Sequence, residues 1–227
     1  MFSVFRIRAN FAAALFAVAG AVALHGPATA QTAEAPAASP EVTATTEATL
    51  DGFRSAAFGD DEDAVRAAIK ADFGLEGDAV KVGLNTVERT RVMTISVPGV
   101  LADGGIAQVS YIFGYQSKTL IQVGLLWSAV TDPAITDEMM YANGDVLRAY
   151  LAAAGYVPTT ITRDVVLENG ILLFRGSDAS GHTTILLLQG RFEDKDGTRT
   201  LFPENLTLLY AVSPDKPDIL TIEKGDF

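Results

Sequence analysis

The sequence predicts an α+β protein in which helices pack on one face of antiparallel meander sheets. Three observations carry this: two helix-period segments, each followed by a long run of strand-period residues, short polar turns between consecutive strands, and a similar element order in both halves of the chain. Helices segregated from runs of strands with short connections give a layered α+β architecture, because a doubly wound parallel sheet needs a crossover between its strands.

The chain opens with Arg6 and Arg8, an apolar run from Ala9 to Leu24, and the small-residue triplet Ala28-Thr29-Ala30. Basic region, apolar region and Ala-x-Ala site in that order predict a signal peptide over residues 1–30, with Ala28 and Ala30 as the cleavage determinants. The run is Ala-rich and short of the roughly 20 apolar residues that a membrane-spanning helix needs, so no span is expected after processing. With no cysteine anywhere, lipidation, disulfides, thiolate metal sites and cysteine nucleophiles are excluded. The expected address is the periplasm or the exterior.

Residues 31–49 are rich in Ala, Pro, Thr, Ser and Glu, with Val42 the one large apolar residue before Leu50, and are expected to form a disordered linker. Removing Arg6 and Arg8 with the signal leaves 15 basic against 28 acidic residues, a net charge of −13. Such a field repels phosphate backbones and anionic membrane surfaces, so nucleic acid is not an expected partner.

The first helix is expected from Gly59 to Gly74, where Val65, Ala68, Ile69 and Phe73 share a face, acids crowd the first turn and Gly74 caps the end. Consecutive carboxylates on a first turn point in different directions, so they read as capping and dipole complement, not as a metal site. Strands are expected at Val80–Leu84, Arg89–Val97, Ile106–Gly114 and Thr119–Trp127, the last two forming a hairpin through Tyr115-Gln116-Ser117-Lys118. On it Ala107, Val109, Tyr111 and Phe113 share one face, and Ile121, Val123, Leu125 and Trp127 share a face of the partner strand, as half-buried core strands do.

The second half begins with a helix from Thr136 to Ala154, expected to loosen near Asn143-Gly144 and to close at Gly155. Strands follow at Ile161–Leu167, Ile171–Phe174, His182–Phe192, Leu206–Val212 and Ile219–Ile222. The segment from Asp145 to Leu151 aligns with that from Asp63 to Ile69 at an offset of 82, and Tyr210 with Trp127 at 83. The offsets suggest two halves, 50–130 and 131–227, each one helix followed by a four-stranded meander.

Phe58-Gly59, Val65, Ile69 and Phe73-Gly74, followed by strands, resemble the helix entry of the small α+β modules found in the outer-membrane assembly lipoprotein BamE and, in tandem, in the β-lactamase inhibitory protein. That resemblance implies a helix whose Val packs on a meander sheet and a protein that acts by binding other proteins. The chain departs from both families in having no lipidation cysteine and no disulfides, and no interface residue carries over. As a whole the chain also resembles exported proteins of α-proteobacteria, which implies an address and no mechanism.

After processing His182 is the one histidine, and without a second His or any Cys no zinc set exists. Its surroundings, Asp178-Ala179-Ser180-Gly181-His182, offer Asp and Ser, but no Gly-x-Ser-x-Gly elbow presents a nucleophile, so a strand-entry His after a polar turn is expected. Glu193-Asp194-Lys195-Asp196-Gly197 opens like a calcium loop but lacks the closing bidentate Glu, and reads as a hairpin turn. Asp103-Gly104-Gly105 lacks the strand-to-helix context of a phosphate cradle. The expected protein has no cofactor, no metal and no catalytic residues, and binds an envelope or periplasmic protein. A small-molecule carrier with a pocket between helix and sheet is the alternative, and a carboxylate-dependent hydrolase the third reading.

Overall fold

A computed structural model describes residues 47–221; the cleavage residues Ala28 and Ala30 and the linker as far as residue 46 lie outside the described residues. The α+β expectation is borne out, with two helices and ten strands arranged as one eight-stranded antiparallel sheet and one two-stranded hairpin. The hairpin, β1 (Gly52–Phe53) and β2 (Ala56–Ala57), was not legible in the sequence, being two residues a side.

Helix α1 (Glu62–Phe73) is capped by Asp61, whose carboxylate accepts from the Ala64 amide at 2.9 Å, and is closed by Gly74 in the left-handed conformation. The first-turn acids do what capping and the helix dipole ask of them. One of them, Glu62, also pairs with Arg91 on the sheet. Helix α2 (Asp137–Ala153) starts at Thr136, whose hydroxyl accepts from the Met139 amide.

Contrary to expectation, α2 does not loosen at Asn143-Gly144. Both residues are buried: the Asn143 side-chain amide donates to the Gly104 carbonyl at 2.8 Å, and a Cβ on Gly144 would stand 3.0 Å from a Leu173 methyl. The pair lets the helix sit close to the strands, which offsets the poor helix propensity of glycine.

The eight strands are β3 (Lys81–Leu84), β4 (Arg91–Pro98), β5 (Ile106–Phe113), β6 (Leu120–Ser128), β7 (Thr162–Leu167), β8 (Gly170–Ser177), β9 (Thr183–Lys195) and β10 (Thr198–Ala211). Their order, β3-β4-β5-β6-β10-β9-β8-β7, sets two four-stranded meanders side by side with β6 against β10. In that seam Leu125 faces Leu208, Trp127 faces Leu206 and Val123 faces Tyr210. A shift of 83 residues carries Leu125 onto Leu208, Trp127 onto Tyr210 and Val123 onto Leu206, so the set of pairs maps onto itself. The seam therefore has the register of an isologous contact, in which residue i meets j and j meets i.

The last hairpin is longer than expected, because β9 and β10 run past the end of β6 as a two-stranded ribbon that turns at Asp196-Gly197. Pro203 lies within β10 at a register shift between Pro203 and Asn205, where a missing amide is tolerated. The strand expected at Ile219–Ile222 is not present over residues 219–221. There the chain crosses the strand ends, with the Leu220 amide bonded to the Glu88 carbonyl, and Ile222 lies outside the described residues.

One face of the sheet carries the core. Met93, Ile95 and Val97 of β4 align with Tyr111, Val109 and Ala107 of β5 and, across β6, with Val123, Leu125 and Trp127, and all nine are buried. Val65 and Ile69 of α1 and Met140, Leu147 and Leu151 of α2 join the same cluster, which places both helices on that face. Full burial of side chains such as Ile95 or Leu125 stabilises by about 1.5–3 kcal/mol each. Ile121 departs from its expected face, because a register shift between Ile112 and Phe113 leaves it bulged out opposite the core.

Candidate interaction face

His182 and Asp178 come together, but as a clasp and not as a catalytic pair. Asp178 is buried, and its Oδ1 accepts from the amides of Ser180 and His182, each at 2.9 Å. Its Oδ2 accepts from the Leu50 amide at 2.9 Å, and the imidazole Nδ1 donates to the Leu50 carbonyl at 2.6 Å. The Phe58 ring meets the imidazole edge-on at 5.3 Å. Both polar groups of Leu50 are thereby satisfied, as a buried peptide requires. No serine hydroxyl contacts the imidazole among the described residues, so nothing there is placed as a nucleophile.

The other singled-out segments are also structural. Asp196 and Gly197 both have positive φ and join the paired Lys195 and Thr198, the two-residue turn expected of Asp-Gly. Gly104 of Asp103-Gly104-Gly105 gives its carbonyl to Asn143, and Gly105 packs beside the buried Asp132, which accepts from the Ile106 amide at 2.9 Å. Among the described residues no three His, Asp or Glu side chains converge as a metal set.

What the sequence did not single out is the opposite face of the sheet. Because strand side chains alternate, the residues between the core positions form a second surface, and neither helix packs on it. Its middle row runs Ser96, Gln108, Leu126, Thr207, Leu187, Leu172 and Val165 from β4 to β7. The next row adds Thr94, Ser110, Gly124, Leu209, Ile185 and Arg175.

Up to the ribbon, no in-register position on this face from β3 to β7 is Asp or Glu, although the chain has 28 acidic residues. Among the described residues the acids lie on the helices, the turns, the ribbon and the terminal segments, with Asp164 and Glu204 at register shifts of β7 and β10 and Asp164 paired with Arg148 of α2. The charges present on the face are Lys81 near one edge and Arg175, paired with Asp215 at 3.3 Å. Leu126, Leu172, Ile185 and Leu209 are half-buried there and outside the core cluster. No family model, curated protein or solved structure matches this chain. The face therefore stands on its geometry alone.

One end of the face is closed by the segment after β10. Asp218 anchors it, accepting from the Gln116 amide at 2.9 Å and the Ser117 amide at 2.8 Å in the β5–β6 turn. Burial works against its charge, but these amides, the Ser117 side chain and Lys118 outweigh burial and hold the carboxyl below the ordinary carboxylate range. Between this segment and the bulge of β6 lies a cavity of about 220 Å³, lined by Ile121, Gln122, Ala211, Val212, Ser213, Lys216, Pro217 and Asp218. The tail and its anchor were beyond sequence reasoning, since nothing local marks Asp218 as the partner of a turn about 100 residues earlier.

Proposed function

We propose that the chain is an exported binding module whose helix-free sheet face engages an envelope or periplasmic protein. One observation carries the reading: a face spanning two meanders, with half-buried Leu126, Leu172, Ile185 and Leu209, holds no in-register carboxylate short of the ribbon in a chain of net charge −11. Exposed acids keep a surface solvated and separate from other proteins; a face whose in-register positions carry none, where Asp215 is paired with Arg175 and leucines cluster, fits contact with another protein. The signal-like N-terminus and the lack of cysteine support the address. The clasp role of His182 and Asp178 supports a non-enzymatic part.

The test is site-specific photocrosslinking in cells from Gln108 and Thr207 on this face, with Ala67 on the outer side of α1 as the comparison. A defined protein adduct from the face positions, lost on Leu209→Glu, is the expected result. Adducts from Ala67 alone would overturn the assignment.

A further inference from the structure

The cavity beneath the C-terminal segment carries a second, separate chemistry. Its walls are Ile121, Ala211, Val212 and Pro217, and its polar lining includes Gln122, Ser213 and Lys216. None of those three side chains has a hydrogen-bond or ion-pair partner among the described residues. All three can donate: an ammonium, a hydroxyl and a carboxamide NH2. The remaining polar side chain, Asp218, already has an oxygen on each of two backbone amides, so its role is to hold the wall. The neighbouring charges, Arg175 and Asp215, are paired with each other. The pocket is open to solvent, with Ser213, Lys216 and Pro217 exposed at its mouth; apolar walls beside unpaired donors, one of them a cation, suit an anion with a short apolar body.

We propose that this cavity binds a carboxylate, with Lys216 as its counter-ion, Ser213 and Gln122 as further donors, and the Ile121–Val212–Pro217 wall receiving the apolar part. At about 220 Å³ the pocket is smaller than the roughly 300–1,000 Å³ of drug-sized ligand sites, so it suits a small ligand. That is the size of a short monocarboxylic acid or of the last residue of a peptide. Gln122 and Ala211 belong to the end row of the helix-free face, so the site adjoins it, but its ligand chemistry does not depend on the protein-binding reading.

The experiment follows the backbone amides of Gln122, Val212 and Ser213 by NMR while the protein is titrated with butyrate, with butyramide, and with an alanine tripeptide bearing a free or an amidated C-terminus. Saturable shifts with butyrate, in the range of about 1 mM, are expected, with none for butyramide. Lys216→Gln should weaken binding about tenfold, while Lys195→Gln at the ribbon tip should leave it unchanged. If the free-ended tripeptide binds more tightly than butyrate and its amide does not bind, the carboxylate comes from a peptide terminus; if butyrate alone binds, it is a free acid. Absence of saturable shifts, equal binding of butyramide, or undiminished binding by Lys216→Gln with an unaltered spectrum elsewhere would overturn the site.

Discussion

Leu50 and Asp178 stand 128 residues apart and are joined by a 2.9 Å hydrogen bond from the Leu50 amide to Asp178 Oδ2. The same carboxylate caps the turn into β9, so one side chain fixes the start of the described chain to the second meander. Asp178→Ala should destabilise the protein by about 2–3 kcal/mol, the cost of orphaning a buried amide and its neighbours. Asp178→Asn, which keeps one acceptor, should lose less. Thermal unfolding checks the order, and hydrogen exchange at the Leu50 amide should accelerate in the alanine variant first.

Two adjacent leucines of β10 test which face is which. Leu208 is buried in the core opposite Leu125, whereas Leu209 points to the helix-free side. Leu208→Glu should prevent folding or cost more than about 4 kcal/mol, because it buries an unpaired charge. Leu209→Glu should stay within about 1 kcal/mol of the parent while abolishing partner capture. Equal destabilisation by both would contradict the assignment of faces.

Gly190 and Gly83 form a second contrast. A Cβ on Gly190 would lie 2.0 Å from the Phe202 carbonyl oxygen, which is backbone and cannot yield without parting β9 from β10, whereas at Gly83 nothing stands within 4 Å. Gly190→Ala should cost about 2 kcal/mol or more, and Gly83→Ala less than about 0.5 kcal/mol. Urea denaturation midpoints at constant slope would show it.

Acid should loosen the C-terminal segment before it unfolds the sheet. The Asp218 carboxyl is held below its ordinary value, so its contribution is present above the unfolded value of about 3.9 and is lost as pH falls through the folded one. Amide shifts of Gln116 and Ser117 should move together in that window. Asp218→Asn should abolish the transition while leaving the core resonances in place.

Alkali acts on the other side. Burial, reinforced by the Asp72 carboxylate and opposed by Arg54, raises the Tyr111 phenol; burial, with Tyr156 and Tyr150 nearby, raises Tyr210. A group raised on folding stabilises below its unfolded value, about 10 for tyrosine, and that stability is lost as pH rises above it. The ultraviolet difference spectrum should show these two phenolates appearing with unfolding and not ahead of it. Tyr111→Phe, which also removes a buried hydroxyl without a partner among the described residues, should move the alkaline transition upward.

The elements that local chemistry specifies were legible in the sequence. Asp61 and Gly74 bound α1, Asp196-Gly197 makes its turn, and the alternation in β5 puts Tyr111 and Phe113 in the core. What local pattern cannot carry was missed. Ile121 changed faces because of a bulge, a single inserted residue that leaves composition unaltered. Asn143-Gly144 read as a weak point because helix propensity ignores what the helix lies against, here Leu173 and Leu206. The helix-free face was illegible for a related reason: its two rows come from strands of both meanders, and their lack of acids emerges only once the register is known.

The seam also bears on how the chain reaches its fold. Within each meander, partners lie one hairpin apart, so their pairing closes short loops and can proceed quickly. Leu125 and Leu208 must meet across the whole second helix and three further strands, the longest closure in the sheet. Each doubling of a closed loop adds about 0.6 kcal/mol of entropic cost, so docking of β6 on β10 is the step that waits for the others. Until it occurs, both strands are open edges lined by leucines, and the interval before they join is when the chain is most exposed to pairing with a neighbour.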